Sequence, residues 1–436
     1  MSKRFAAAVS IYDRLRRSDD ELCALLATGA ARRELTAVFG AAEYTLLAAL
    51  ARQARQTPRR HAATVYILPG IMGTQLGTPR TAVEQTAPLP ADLLWLDPQD
   101  IIGGALARLR LPDAAGLITL GAIPYSYLAL QLRLRAAGFA VVVHDYDWRS
   151  DLRVTGRALA ERMRADSTPE IFIVAHSMGG LLARSALGEP GLERVRRLIT
   201  LGAPHGGSYG AVQALRGTYP VVRRLAALDQ HYDADFLSAS VFSTFPSIHQ
   251  SLPSPGGSAT DTLFAIDHWP SCAPRPSARL LQDAQAFVSA LPPTDARCIT
   301  ISGTHQRTVT NLRLVNDEFH YQVSDAGDGT VPLERAQLPG CDNYFVRCEH
   351  SALPRSATVA RALLELLRHG RTTRLASIPG PQLGRLIWVS DSELRTTWSE
   401  KIDWARLTPA TRRDYLNRLN QPPPQYAARR RRVTSP

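Results

Sequence analysis

A run of β-branched and aromatic residues, Ile171 to Ala175, passes without a break into Ala175-His176-Ser177-Met178-Gly179-Gly180 and then into a helical stretch from Gly179 to Leu187. A strand that feeds a helix through so few residues must turn sharply, and the residue at the apex, Ser177, presents its hydroxyl at the edge of a sheet. Small neighbours keep such a turn clear of the adjoining strand and helix. Ala175 stands at the first position, where glycine is usual, and alanine is the next smallest side chain. A serine simply buried at a strand end is the competing reading of this segment taken alone.

Around the turn, short β-branched runs alternate with amphipathic helical ones, the pattern of a mostly parallel sheet with helices on both faces. Strands are expected at Val65 to Leu68, Ala140 to His144, Ile171 to Ala175, Leu198 to Leu201, Ile299 to Ser302 and Tyr344 to Arg347. Helices are expected at Tyr125 to Ala136, Leu152 to Ala165, Gly179 to Leu187 and Ser356 to Arg368. Two long stretches rich in Pro, Gly, Ser and aromatic residues, about 74–121 and about 205–292, interrupt the alternation and read as lid and cap insertions. Before the sheet, residues 1–60 repeat apolar side chains at helical spacing: Phe5, Val9, Tyr12 and Leu15, then Leu22, Leu25 and Leu26, then Leu35, Val38 and Phe39, then Leu46, Leu47 and Leu50. This reads as a helical N-terminal extension, with the basic joint Arg52 to Arg60 leading into the main domain, 61–370. Residues 371–436 form a C-terminal extension with Trp398, Trp404 and Tyr415, finishing in Pro422 to Pro424 and Arg429 to Arg432, where a disordered end is expected.

A serine hydroxyl is a poor nucleophile at neutral pH, so it needs a base within hydrogen-bond reach and an acid that orients that base. The chain offers both in a set order. Beyond the strand ending near Ser302 comes Ser324-Asp325-Ala326-Gly327-Asp328-Gly329-Thr330-Val331-Pro332, and past the last strand comes Cys348-Glu349-His350-Ser351. The order Ser177, Asp328, His350 is that of α/β-hydrolases. Asp328 sits between glycines and can approach closely, with Asp325 as the fallback acid. The negative oxygen formed on attack needs preorganised backbone donors, typically worth ~3 kcal/mol each. By position these are the amides of Ile71, in the turn Pro69-Gly70-Ile71-Met72-Gly73, and of Met178, which follows the serine. A phosphate-binding loop is the rival reading of Gly70 to Gly77, but neither a Gly-Lys-Ser/Thr ending nor G-x-G-x-x-G spacing supports it.

Several further blocks carry a family resemblance: Leu68 to Leu76, Tyr146-Asp147-Trp148-Arg149, the serine turn, Ile199 to Gly207, Phe245-Pro246-Ser247 and Gly327 to Pro332. Together and in this order, across about 65–370, they resemble the lecithin:cholesterol acyltransferase family, which includes lysosomal phospholipase and the phospholipid:diacylglycerol acyltransferases. The resemblance implies Ser177, Asp328 and His350 as a triad, Ile71 as an oxyanion donor, and acyl-ester substrates, phospholipids foremost. It does not reach the two extensions, and the first insertion has no close cysteine pair to match the clamped lid loop of the secreted members. Trp95 and Trp148 are candidate substrate contacts. For the block Tyr146 to Arg149 the alternative is an Asp147–Arg149 ion pair that braces the site. The cluster Leu93-Leu94-Trp95-Leu96 is either a lid edge that meets lipid or a cap-packing segment.

Composition bounds the rest. With 45% hydrophobic and 21% charged residues the chain is globular. Its apolar runs are too short to cross a bilayer, and the short run Phe5 to Ile11 lacks a cleavage signal, so it reads as helix and not as a signal peptide. Five scattered cysteines without metal-ligand spacing point to a reducing, cytoplasmic setting, and neither a metal nor a cofactor is expected. The net charge of +12 is spread as arginine, lysine occurring only at Lys3 and Lys401. Peripheral contact with anionic membrane is compatible with that charge, whereas nucleic-acid binding has nothing else to support it. The expected activity is a serine esterase, lipase or acyltransferase; a catalytically silent binding module of the same fold is the alternative.

Overall fold

The computed structural model describes residues 18–79, 91–254, 263–382 and 384–427. Its strands are β1 (Ala63–Leu68), β2 (Thr74–Pro79), β3 (Ala91–Trp95), β4 (Ile118–Ala122), β5 (Ala140–Val143), β6 (Glu170–His176), β7 (Val195–Leu201), β8 (Cys298–Gly303), β9 (Thr308–Val315), β10 (Glu318–Ser324), β11 (Asp342–Val346) and β12 (Ile387–Ser390). Six of them form one sheet in the order β11-β8-β7-β6-β1-β5. Every neighbouring pair in it is parallel.

Strand side chains alternate between faces, and the two faces bury different helices. Val65, Ile67, Phe172 and Val174 point to one side, where helices Pro124–Ala136 and Ala357–His369 pack through Leu130, Leu134, Leu363 and Leu366. Tyr66, Leu68, Ile171 and Ile173 point to the other and meet Leu159, Met163, Leu181 and Leu182 of helices Leu152–Ala165 and Gly179–Leu187. Both faces being covered explains why these strands read as apolar runs without alternation. β1 has β5 on one side and β6 on the other, so the chain reverses its direction of travel there. The crevice beyond the carboxyl ends of β1 and β6 is where an open α/β sheet binds ligands.

All six strands expected from sequence belong to this sheet, and the four expected helices form within a residue of their expected ends. The six remaining strands lie where no strand was expected. In the first insertion β2, β3 and β4 make an antiparallel sheet in the order β3-β2-β4. β9 and β10 form a hairpin turned by Asn316 and Asp317, both with left-handed φ (50° and 61°), and β12 adds to β10 from the C-terminal side. The second insertion is helical, with Tyr209–Leu215, Pro220–Leu228, Ala234–Ser240 and Ala278–Ala290 as its longer helices.

The N-terminal extension forms helices Asp19–Thr28, Arg32–Phe39 and Ala41–Gln56. They share one core, Leu26, Leu35, Tyr44, Leu47 and Ala51, and seat it on Leu128, Ala129 and Leu132. Phe5, Val9, Tyr12 and Leu15 lie outside the described residues, as does Arg429 to Arg432. The C-terminal extension packs as far as Tyr426, whose hydroxyl accepts a hydrogen bond from Gln213 (2.7 Å), so Pro422 to Pro424 belong to a held segment. No helix among the described residues is long and apolar enough to cross a membrane.

Candidate active site

β6 ends at His176 and the helix begins at Gly179, leaving Ser177 on the turn with a left-handed φ of 54°. Such a conformation is costly for a residue with a Cβ and is kept only where the surroundings enforce it. The enforcement is local. Ser177 N–H donates to Leu201 O (2.9 Å), and Gly70, in the turn after β1, lies so close that a Cβ there would sit 2.7 Å from Ser177 Cβ. That approach brings Ile71 beside the serine, and Met72 next to it is also left-handed (φ 60°).

His350 follows β11 and Asp328 follows the β9–β10 hairpin, and both close on the serine. His350 Nε2 is 2.9 Å from Ser177 Oγ, and His350 Nδ1 is 2.7 Å from Asp328 Oδ2. Asp328 Oδ1 accepts from the amides of Thr330 (3.0 Å) and Val331 (2.7 Å), while His350 N–H donates to Asp328 O (2.8 Å). With Asp328 Oδ1 taken up by two amides, Oδ2 accepts from Nδ1–H of His350 and so orients the ring. That leaves Nε2 free to accept the serine proton. Gly202 follows β7 with φ 57°, and a Cβ there would lie 2.7 Å from Asp328 Oδ2, so only glycine leaves Asp328 its place. Asp325 instead pairs with Arg307 (3.1 Å).

A second chain of hydrogen bonds, unforeseen from sequence, runs beneath the first. Tyr127 OH accepts from Gly70 N–H (2.9 Å) and donates to His176 Nδ1 (2.9 Å), and His176 Nε2 donates to the carbonyl of His350 (3.1 Å). Three turns, after β1, β6 and β11, are thereby joined. The histidine just before Ser177 was the visible signal. Burial, and then the neighbouring His350, push His176 down to about 3, so its ring stays neutral. Cys348 is no rival nucleophile, because burial pushes its thiol up to about 11.

A cavity of about 650 Å³ opens above Ser177, bordered by His350, Ile71, Met178 and Tyr219. Met178 caps the helix Gly179–Leu187, at its positive end. Trp95 also borders the cavity but is only 2% exposed, with its indole N–H on Met72 O (2.9 Å) and its ring edge-on to Trp148. Trp148 does not border it. That ring is wholly buried, donates to Thr74 O (3.0 Å) and packs against Phe245, so the candidate substrate contact is corrected to a packing residue that ties both insertions together. The neighbouring Arg149 is buried, bonded to Asp147 (2.8 Å) and Asp113 (2.9 Å), which is the bracing role weighed for this block. Leu93 and Leu94 are 1% exposed, so the apolar cluster packs inward and only Leu96 and Trp95 reach the cavity. No group of three or more potential metal ligands occurs among the described residues.

Four buried histidines give the fold an acid limit. Burial lowers His176 and His205 to about 3 and His144 and His249 to about 4, against an ordinary 6.5. Between those limits the unfolded chain binds more protons than the folded one, so stability is complete above 6.5 and declines as pH falls towards 4. Thermal melts should therefore shift steadily downward from pH 7 to pH 4.5. A constant midpoint over that range would show that the imidazoles are hydrated.

Among known families, the PGAP1-like alpha/beta domain matches residues 157–236, the segment holding the serine turn and the start of the second insertion. No curated protein matches the chain. Similar solved structures include the mature lipase BlEst2 of Bacillus licheniformis (14% identity, TM-score 0.37, covering 73% of this chain and 95% of that one). Others are a pyrethroid hydrolase of Sphingobium faniae (12%, TM-score 0.27, 70% and 97%) and the RedJ thioesterase of Streptomyces coelicolor (16%, TM-score 0.30, 72% and 93%). The parallel sheet order, the left-handed serine between β6 and its helix and the PGAP1-like match make this chain an α/β-hydrolase fold.

Proposed function

We propose that this chain is a serine esterase that cleaves acyl esters, phospholipids and other lipid esters among them, through an acyl-Ser177 intermediate. The observation that carries the proposal is the unbroken relay Asp328–His350–Ser177, at 2.7 and 2.9 Å, beneath a cavity lined mainly by apolar side chains. His350 Nε2 takes the proton of Ser177 Oγ as the oxygen bonds to the ester carbonyl carbon. The carbonyl electron pair moves onto its oxygen, beside the amides of Ile71 and Met178. When the pair returns, the C–O bond to the alcohol breaks, and the leaving oxygen takes the proton held on His350. Water then repeats the sequence on the acyl-serine and releases the acid.

Nothing in the first half of this cycle selects what attacks in the second. Water is the default acceptor. The sequence blocks shared with the lecithin:cholesterol acyltransferase family support lipid substrates and keep transfer to a lipid alcohol as the alternative. Vesicles of labelled phospholipid, with and without a long-chain alcohol, decide between them: free fatty acid should dominate in both, whereas ester as the main product at modest alcohol concentration would make the chain a transferase. Arg52, Arg55, Arg59 and Arg60 are exposed at the end of the third helix and favour anionic surfaces, so the rate on anionic vesicles should fall with salt.

A further inference from the structure

The cavity above Ser177 is not walled by the sheet and its insertions alone. Leu22 from the helix Asp19–Thr28 and Leu35, Val38 and Phe39 from the helix Arg32–Phe39 also line it. The last three stand at i, i+3 and i+4, so they form one face of that helix. The helix is held in place by the shared core on Leu128, Ala129 and Leu132, one turn along from Tyr125 and Tyr127, which also border the cavity. From the other terminus come Leu416 and Leu419. The two extensions meet directly: Arg413 Nη1 donates to Ala37 O (3.2 Å), next to Val38. An apolar wall built from both ends of the chain thus continues the chamber beyond the reacting groups. About 650 Å³ lies within the ~300–1,000 Å³ typical of sites that enclose a small ligand.

We infer that this wall is an acyl-chain site: a linear fatty acyl group whose carbonyl lies at Ser177 extends along it, and the face Leu35, Val38 and Phe39 limits the chain length accepted. The inference rests on the esterase reading of Ser177 and adds the part of the ester that is recognised. An unbranched hydrocarbon suits these leucine, valine and phenylalanine side chains, which offer contact without hydrogen-bonding groups, while Asp19, Arg413, Asn417 and Asn420 of the same extensions also border the cavity. Each methylene removed from water there is worth roughly fourfold in binding. The gain stops where the chain meets the helix face. Val38 is the side chain to alter, since it is only partly buried, whereas Leu35 and Phe39 also hold the helices together.

The test is a chain-length profile of p-nitrophenyl esters from acetate to palmitate on the full chain and on Val38→Trp and Val38→Ala. In the unaltered protein kcat/KM should climb with length and then level off. Val38→Trp should level off at a shorter chain, lowering the dodecanoate-to-butyrate ratio at least tenfold, and Val38→Ala should level off at a longer one. Thermal melts identify a tryptophan variant that fails to fold, in which case the alanine variant decides. Profiles that do not move with either substitution would overturn the acyl-chain site while leaving the esterase intact. Failure of the unaltered protein to cleave any ester, or to react with a fluorophosphonate, would overturn the esterase reading itself.

Discussion

Ser177→Ala is expected to remove ester hydrolysis and fluorophosphonate labelling together, with a loss on the order of 10⁵–10⁶-fold in kcat. The thiol of Cys348, two residues before His350, is held protonated by burial and does not take over as nucleophile. The fold should survive. Among the described residues Ser177 Oγ bonds only to His350, and the turn is held by the serine's backbone and by the close packing of Gly70. Alanine keeps the Cβ that already tolerates φ 54°, so the melting temperature should stay within a few degrees. Retention of more than a few per cent of activity in a purified, correctly melting variant would mean that another residue is the nucleophile.

The readable and unreadable parts of this molecule divide on physical grounds. The six strands of the main sheet were legible because both faces are covered, which forces continuous apolar runs, and the serine turn was legible because a strand and a helix share it. Asp328 and His350 were candidates on chain order, with His350 following β11 of the main sheet and Asp328 following the β9–β10 hairpin outside it. The β2–β3–β4 sheet was hidden by its brevity and by register shifts at Leu76, which break the alternation that marks a strand. β9 and β10 had a signal, since Thr308 to Val315 and Glu318 to Ser324 flank the turn pair Asn316-Asp317. β12 had none, because it is fixed by a partner some seventy residues away. Tryptophans mislead most easily. Trp148 carries the surface and ring of a ligand contact, yet its N–H on Thr74 O and its packing on Phe245 show that the same properties serve to lock two insertions. The contribution of both extensions to the cavity was equally invisible, since leucines at helical spacing say only that some apolar surface will cover them.

The two aspartates of the loop Ser324 to Pro332 differ sharply in what they hold, and the difference fixes an expected ranking. Asp328→Asn should lower kcat by about 10⁴-fold, because an amide at this position can offer its N–H₂ to His350 Nδ1 and turn the ring into the tautomer that carries its proton on Nε2. A protonated Nε2 cannot accept from Ser177 Oγ. The backbone around position 328 would change little, since asparagine's carbonyl oxygen can still accept from the amides of Thr330 and Val331. Substrate binding should therefore be nearly unchanged, and the defect should shrink at high pH, where hydroxide replaces the missing base. Asp325→Asn should behave differently. Its carboxylate meets Arg307 at 3.1 Å with both side chains partly solvated, so the pair is worth little and lies outside the relay. Loss of that charge should change kcat by less than a few fold. Equal losses in the two variants would place the acid's contribution in loop stability, and a larger loss at Asp325 would reassign the acid.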